Sequence, residues 1–142
     1  MAESRTIFNP RNTPVLESAD GTMRNCIMVT PDNCGAQQTS AGQFYLAPGH
    51  RTGAIYYADL EEVLYVISGR GLIVVDDQSQ EMGTGDVVFI PQDRTHYAIN
   101  TGQEPLHLLW TLPRGWSAVT GVNDSFADWR RVDPTSPMQP KP

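Results

Sequence analysis

From Gln43 to Pro113, Gly, Pro, Asn and Asp break the chain at short, regular intervals, and the pieces between them are rich in Val, Ile, Leu and Tyr. Such pieces are too short for ordinary helices and suit strands. The pattern predicts strands at 43–47, 53–58, 62–68, 72–75, 86–90, 96–100 and 106–112. Turns are expected at Pro48-Gly49, Gly69-Arg70-Gly71, the polar run 76–81, Pro91, the stretch 101–104 and Pro113. The strand at 72–75 reads as the hairpin partner of 62–68. Regularly spaced short strands point to an all-β sandwich or barrel. In 63–67 and 73–75 the apolar residues are consecutive, so both faces of those strands need cover. One face can fill a barrel, and a homodimer is the economical cover for the other.

The 142 residues suit one domain. Residues 1–40 read as an N-terminal arm with a β-prone piece at 25–30, 41–115 as the barrel core, and 116–142 as a short helix and a Pro-rich tail. The helix is expected at 124–131, with Phe126 and Trp129 on one face and Asp124 as its cap. The tail from Pro134 is expected to be disordered or draped over a neighbour. Ten basic against sixteen acidic residues leave a formal charge of −6. With no basic cluster, nucleic acid and anionic membranes are poor partners. No run of apolar residues is long enough to span a bilayer. The N terminus lacks a signal-peptide pattern, so a cytoplasmic protein with Cys26 and Cys34 as reduced thiols is expected.

The stretch from Gly85 through Pro91 and His96 to Asn100 resembles the second cupin motif, G-x5-P-x-G-x2-H-x3-N, with Asp93 where Gly is usual. Glu62 and Gly69 match the tail of the first cupin motif, E-x6-G, and residues 70–84 separate the two. The resemblance covers roughly 43–113. It implies an all-β, RmlC-like jelly-roll β-barrel, here with a short C-terminal helix. In physical terms, Gly69 and Gly85 permit tight turns, Pro91 ends a strand, and His96 begins the returning one, free to point into the barrel.

The first motif departs from the family pattern. Its two histidine positions hold Ile55 and Tyr57, so of the three histidines and one carboxylate typical of a cupin metal site only Glu62 and His96 remain. Two ligands are too few for a tightly held catalytic metal. No cofactor is favoured. If a divalent metal (Fe, Mn, Zn or Ni) binds, Tyr57 is the third ligand within reach. Otherwise His96, Glu62 and Tyr57 form an acid–base set, with Ile55 and Phe89 lining the pocket. Arg51 and Arg94 at the mouth are then candidates to hold a substrate carboxylate. The plainer alternatives are a rim salt bridge from Glu62 to Arg51 or Arg94, and core packing for Tyr57 and Tyr65. Asp93 is either a tolerated turn residue or an added carboxylate near the mouth. His50 is expected in a surface loop. His107 points opposite to Leu106, Leu108 and Trp110, and its default role is structural.

A dry pocket with an imidazole, a carboxyl and a phenol suits proton abstraction next to a carbonyl. Metal-free sugar-nucleotide epimerases and small polyketide cyclases among the cupins look like precedents. The expectation is a proton-transfer isomerase, lyase or cyclase acting on a small carbonyl-containing substrate inside the barrel. The alternatives are an Fe- or Mn-dependent cupin oxygenase or lyase, and a non-catalytic ligand-binding cupin.

Overall fold

A computed structural model describes residues 6–113, 126 and 128–141. Two antiparallel sheets face each other. One runs β11(Arg130–Val132), β1(Val15–Glu17), β2(Met23–Val29), β3(Ser40–Leu46), β10(Leu106–Leu112), β5(Glu62–Ser68), β8(Val87–Ile90); the other runs β4(Ile55–Tyr56), β9(Thr95–Asn100), β6(Arg70–Val75), β7(Gln78–Gly83). This is the expected jelly roll. The core between the sheets takes alternate residues of each strand: Leu64 and Val66 from β5, Ile73 from β6, Ile90 from β8, and Leu106, Leu108, Trp110 and Leu112 from β10. Alternation follows from the two-residue period of a strand.

The register corrects the expected hairpin. β5 pairs with β10 and β8, whereas β6 pairs with β7 and β9, so the chain changes sheets at Gly69. Gly69 has φ +95° and an added Cβ would sit 2.9 Å from the Pro105 carbonyl oxygen, so no side chain fits this crossover. The polar run 76–81 is mostly strand. Its turn is confined to Asp76 and Asp77, and β7 follows with outward polar residues on an edge that tolerates them.

The N-terminal arm is built into the larger sheet, where Arg24, Cys26 and Met28 face away from the barrel. Val15, Cys26 and Met28 form a small second core, with Phe8 and Val132 packed on it. Cys26 and Cys34 are not bonded to each other. A four-residue helix α1(Pro31–Cys34) follows β2, capped by the Thr30 side chain accepting from the Asn33 N–H.

The expected C-terminal helix is not supported at its last two positions. Residues 124, 125 and 127 lie outside those described, but Arg130 and Arg131 belong to β11, paired with β1. There Arg130 reaches the Glu17 carboxylate at 3.0 Å, a partner that local helix propensity cannot supply. The tail lies along its own chain: Arg24 donates to the Ser136 and Pro137 carbonyl oxygens, and Lys141 N–H bonds the Asp20 carbonyl.

On the outer face of β5 and β8, Val63 opposes Phe89 and Tyr65 opposes Val87; all four are exposed in the single chain. Among the described residues, no helix is long and apolar enough to cross a membrane.

Candidate active site

Glu62 is the first residue of β5 and shares its inward face with Leu64 and Val66. His96 enters from the opposite sheet, where β9 pairs it with Ile55 on one side and Val75 on the other. The two side chains are almost wholly buried and meet with His96 Nε2 at 3.0 Å from Glu62 Oε1. The other ring nitrogen, Nδ1, lies 3.5 Å from the Arg94 carbonyl oxygen, at the limit of a hydrogen bond. A proton therefore lies between Nε2 and Oε1 whichever group formally carries it, because two bare acceptors facing each other at this distance would repel.

Tyr57 follows β4 and packs its ring against His96, centroids 5.8 Å apart and tilted by 49°. Burial, with the Glu62 carboxylate adding to it, pushes the phenol well above its ordinary range, so it stays protonated. The three groups line one cavity of about 90 Å³ whose walls include Phe44, Ile55, Leu64, Ile73, Leu108 and Trp110. Thr52 stands on the same wall as Ala98 and accepts its N–H, and Asn25 closes the far side. The set offers a proton-sharing pair, a neutral phenol donor and a mostly hydrocarbon surface.

The structure brings together His96, Glu62, Tyr57 and Ile55 and leaves out the other three expected site residues. Phe89 is on the outer face of β8 and is 55% exposed, because the inward positions of that strand are Val88 and Ile90. Arg94 is outside as well: it forms an ion pair with Asp76 at 2.6 Å in a separate open groove of about 620 Å³ lined by residues of β7 and β8. Arg51 lies over the Tyr97 ring, 3.8 Å from its centroid, on the far face of the smaller sheet. The rim salt bridge weighed for Glu62 is not formed, since its partner is His96.

Asp93 is a turn residue with φ +61°, a conformation that aspartate tolerates. Its carboxylate accepts from the Asp59 N–H at 3.0 Å, and its own N–H donates to the Tyr57 carbonyl at 3.1 Å. It thus fastens the loop that carries Tyr57 without entering the cavity. Asn100, the last residue of the second motif, is a structural knot: its amide donates to the Leu46 and Glu104 carbonyls and accepts from Gly102 N–H. His107 is on the outer face, stacked on Tyr45 and bonded to Gln43 Oε1 at 2.7 Å. His50 is half-buried in the loop after β3. Asn25, Thr52 and Trp110 were not candidates from the sequence. A polar residue on the inward parity of a β-prone piece was the one available signal for Asn25.

A cupin metal fits these residues poorly. Among the described residues no group of three His, Cys, Asp or Glu is placed to hold an ion. The imidazole Nε2 is engaged with Glu62, Ile55 is hydrocarbon at a position where the family pattern has histidine, and Tyr57 holds its proton.

Comparison with known proteins agrees with this architecture. Protein SchB of Streptomyces halstedii is 32% identical over 85 residues, covering 60% of this chain and 62% of that protein. The polyketide synthase CurC of Streptomyces cyaneus is 28% identical over 85 residues, 60% of this chain and 55% of that protein. The chain thus matches about three fifths of the length of these relatives. An RmlC-like cupin of Shewanella frigidimarina superposes with a TM-score of 0.65 at 19% identity, over 82% of this chain and 96% of that one. The cupin domain matches residues 42–112, half of the chain and the span that holds both motifs. The chain belongs to the cupin domain family.

Proposed function

We propose that this cupin is an enzyme that moves protons on a small carbonyl compound bound inside the barrel, an isomerase, lyase or cyclase without a resident metal. The observation that carries the reading is the Glu62–His96 pair, 3.0 Å apart and buried beside a phenol that keeps its proton. In the forward sense the Glu62–His96 pair accepts a proton from a carbon next to a carbonyl. The C–H electrons become a C=C bond, and the carbonyl π electrons move to its oxygen, which the Tyr57 hydroxyl stabilises by donating to it. The enolate then takes its proton back at another carbon, expels a neighbouring hydroxyl that leaves as water with the proton the Glu62–His96 pair took up, or attacks a second carbonyl to close a ring. In the last case the new alkoxide takes up a proton from the same set. The hydrocarbon walls keep bulk water from intercepting the enolate. The name of CurC supports a polyketide-type, poly-carbonyl substrate.

A short poly-β-ketone thioester incubated with the purified protein, with products followed by mass spectrometry, tests the reading. Glu62→Gln and His96→Ala should each lower turnover at least 100-fold, and variants as active as the wild type would refute it. Elemental analysis of protein purified without added metal should find substoichiometric Fe, Mn, Zn and Ni, and reconstitution should add no activity. A second copy of the chain is the partner we propose for the outer face of β5 and β8. Val63, Tyr65, Val87 and Phe89 carry no charge, and the same outer face of a two-fold mate, packed against them, covers this apolar patch.

A further inference from the structure

Asn25 is 3% exposed, on an inward position of β2, three strands from Glu62 in the same sheet. Its Oδ1 accepts from Trp110 Nε1 at 3.0 Å. An indole N–H can only donate, so this bond decides which end of the amide is oxygen, and the remaining end is an NH2. Among the described residues nothing accepts from Nδ2, and this nitrogen is not sealed within the core; Asn25 lines the same cavity as the acid–base pair. An NH2 held in a mostly hydrocarbon cavity has two protons to donate and no freedom to turn away, because rotation would break the indole bond. A buried donor of this kind strongly favours a ligand that brings an acceptor and disfavours one that does not.

We propose that Asn25 is a substrate-positioning residue, whose Nδ2 donates to a carbonyl, enolate or phenolate oxygen at the end of the ligand remote from the reacting carbon. The inference rests on the proton-transfer reading and narrows its substrate class: a largely apolar molecule with two oxygenated positions, one held by Asn25 and one at Tyr57. Trp110 supports it by fixing the amide and by giving the ligand a flat wall to lie on.

Binding of cyclopentanone and of methylenecyclopentane, alike in shape and differing in the carbonyl oxygen, measured by ligand-observed NMR titration, tests this without need of turnover. Asn25→Leu alone strands the indole N–H and endangers folding, so the comparison is between Trp110→Phe and the double variant Asn25→Leu/Trp110→Phe. The double variant removes both partners of the bond. The ratio of ketone to alkene affinity should fall at least threefold from the first to the second. A smaller fall, no change or a rise would overturn the proposal and leave Asn25 as no more than the indole's partner. The outcome is separable from the reading on which it rests. An unchanged ratio together with lost turnover in Glu62→Gln removes the anchor alone. A lowered ratio with full turnover in Glu62→Gln removes the acid–base chemistry alone.

Discussion

Replacing Glu62 and His96 together by leucine should leave the fold as stable as before, although replacing either one alone should be costly. Their side chains are 7% and 4% exposed and face each other at 3.0 Å. Removing one partner strands a polar or charged group in a mostly hydrocarbon cavity, which costs about 3–5 kcal/mol for a buried pair. The site opens on a cavity, so His96→Leu and Glu62→Leu belong at the lower end, about 3 kcal/mol each. For a chain of this size that corresponds to a drop in Tm of roughly 6–12 °C. The double variant strands nothing and adds apolar contact with Leu64, Ile73 and Ala98, so its stability should lie within about 1 kcal/mol of wild type or above it. Urea unfolding at pH 7, followed by tryptophan fluorescence with m compared across the four proteins, gives the three differences and their coupling. A coupling of about 5 kcal/mol is expected, with turnover lost in all three variants. Two small costs that simply add in the double variant would refute the reasoning, because they would mean that the groups are solvated and independent.

Tyr57→Phe should lower turnover at least tenfold with little change in stability, since the ring and its contact with His96 are kept; undiminished turnover would assign Tyr57 to packing. Because burial pushes the Tyr57 phenol above its ordinary range, and burial of Tyr45 and the Asp93 charge beside Tyr56 raise those two as well, ultraviolet titration of the folded protein should show fewer than all five tyrosines ionising near pH 10, and Tyr57→Phe should leave the number ionising there unchanged. Burial alone would raise the Glu17 carboxyl, but hydrogen bonds from Arg130 and Arg24 outweigh it and hold the group below its ordinary value. Its contribution is thus present above the unfolded value near pH 4.3 and is lost as pH falls through the folded one. Glu17→Gln should cost about 1–3 kcal/mol at pH 7, mostly through the buried Arg24, and should flatten the acid limb of the stability curve. Val87→Glu should convert a dimer to a monomer in sedimentation velocity without changing the far-ultraviolet circular dichroism, and a wild type that sediments as a monomer would refute the two-fold mate.

Strand content, the jelly roll and the pairing of Glu62 with His96 were legible in the chain itself. The two-residue alternation of Glu62, Leu64 and Val66 decides their shared face, and the motif spacing places Gly69, Gly85 and His96 at strand ends. Other features depended on which strands become neighbours. Phe89 falls outside because β8 sits at the sheet edge with Ile90 inward, and Arg51 and Arg94 are taken by Tyr97 and Asp76. The last turn of the expected helix becomes β11 because Glu17, more than a hundred positions earlier in the chain, offers Arg130 a carboxylate. Asn25 meets Trp110 across 85 positions. Local periodicity settles which way a side chain faces within its strand, but the partner it meets across the barrel is chosen by the crossover at Gly69 and the closing of two sheets on one core, and no window of sequence contains that choice.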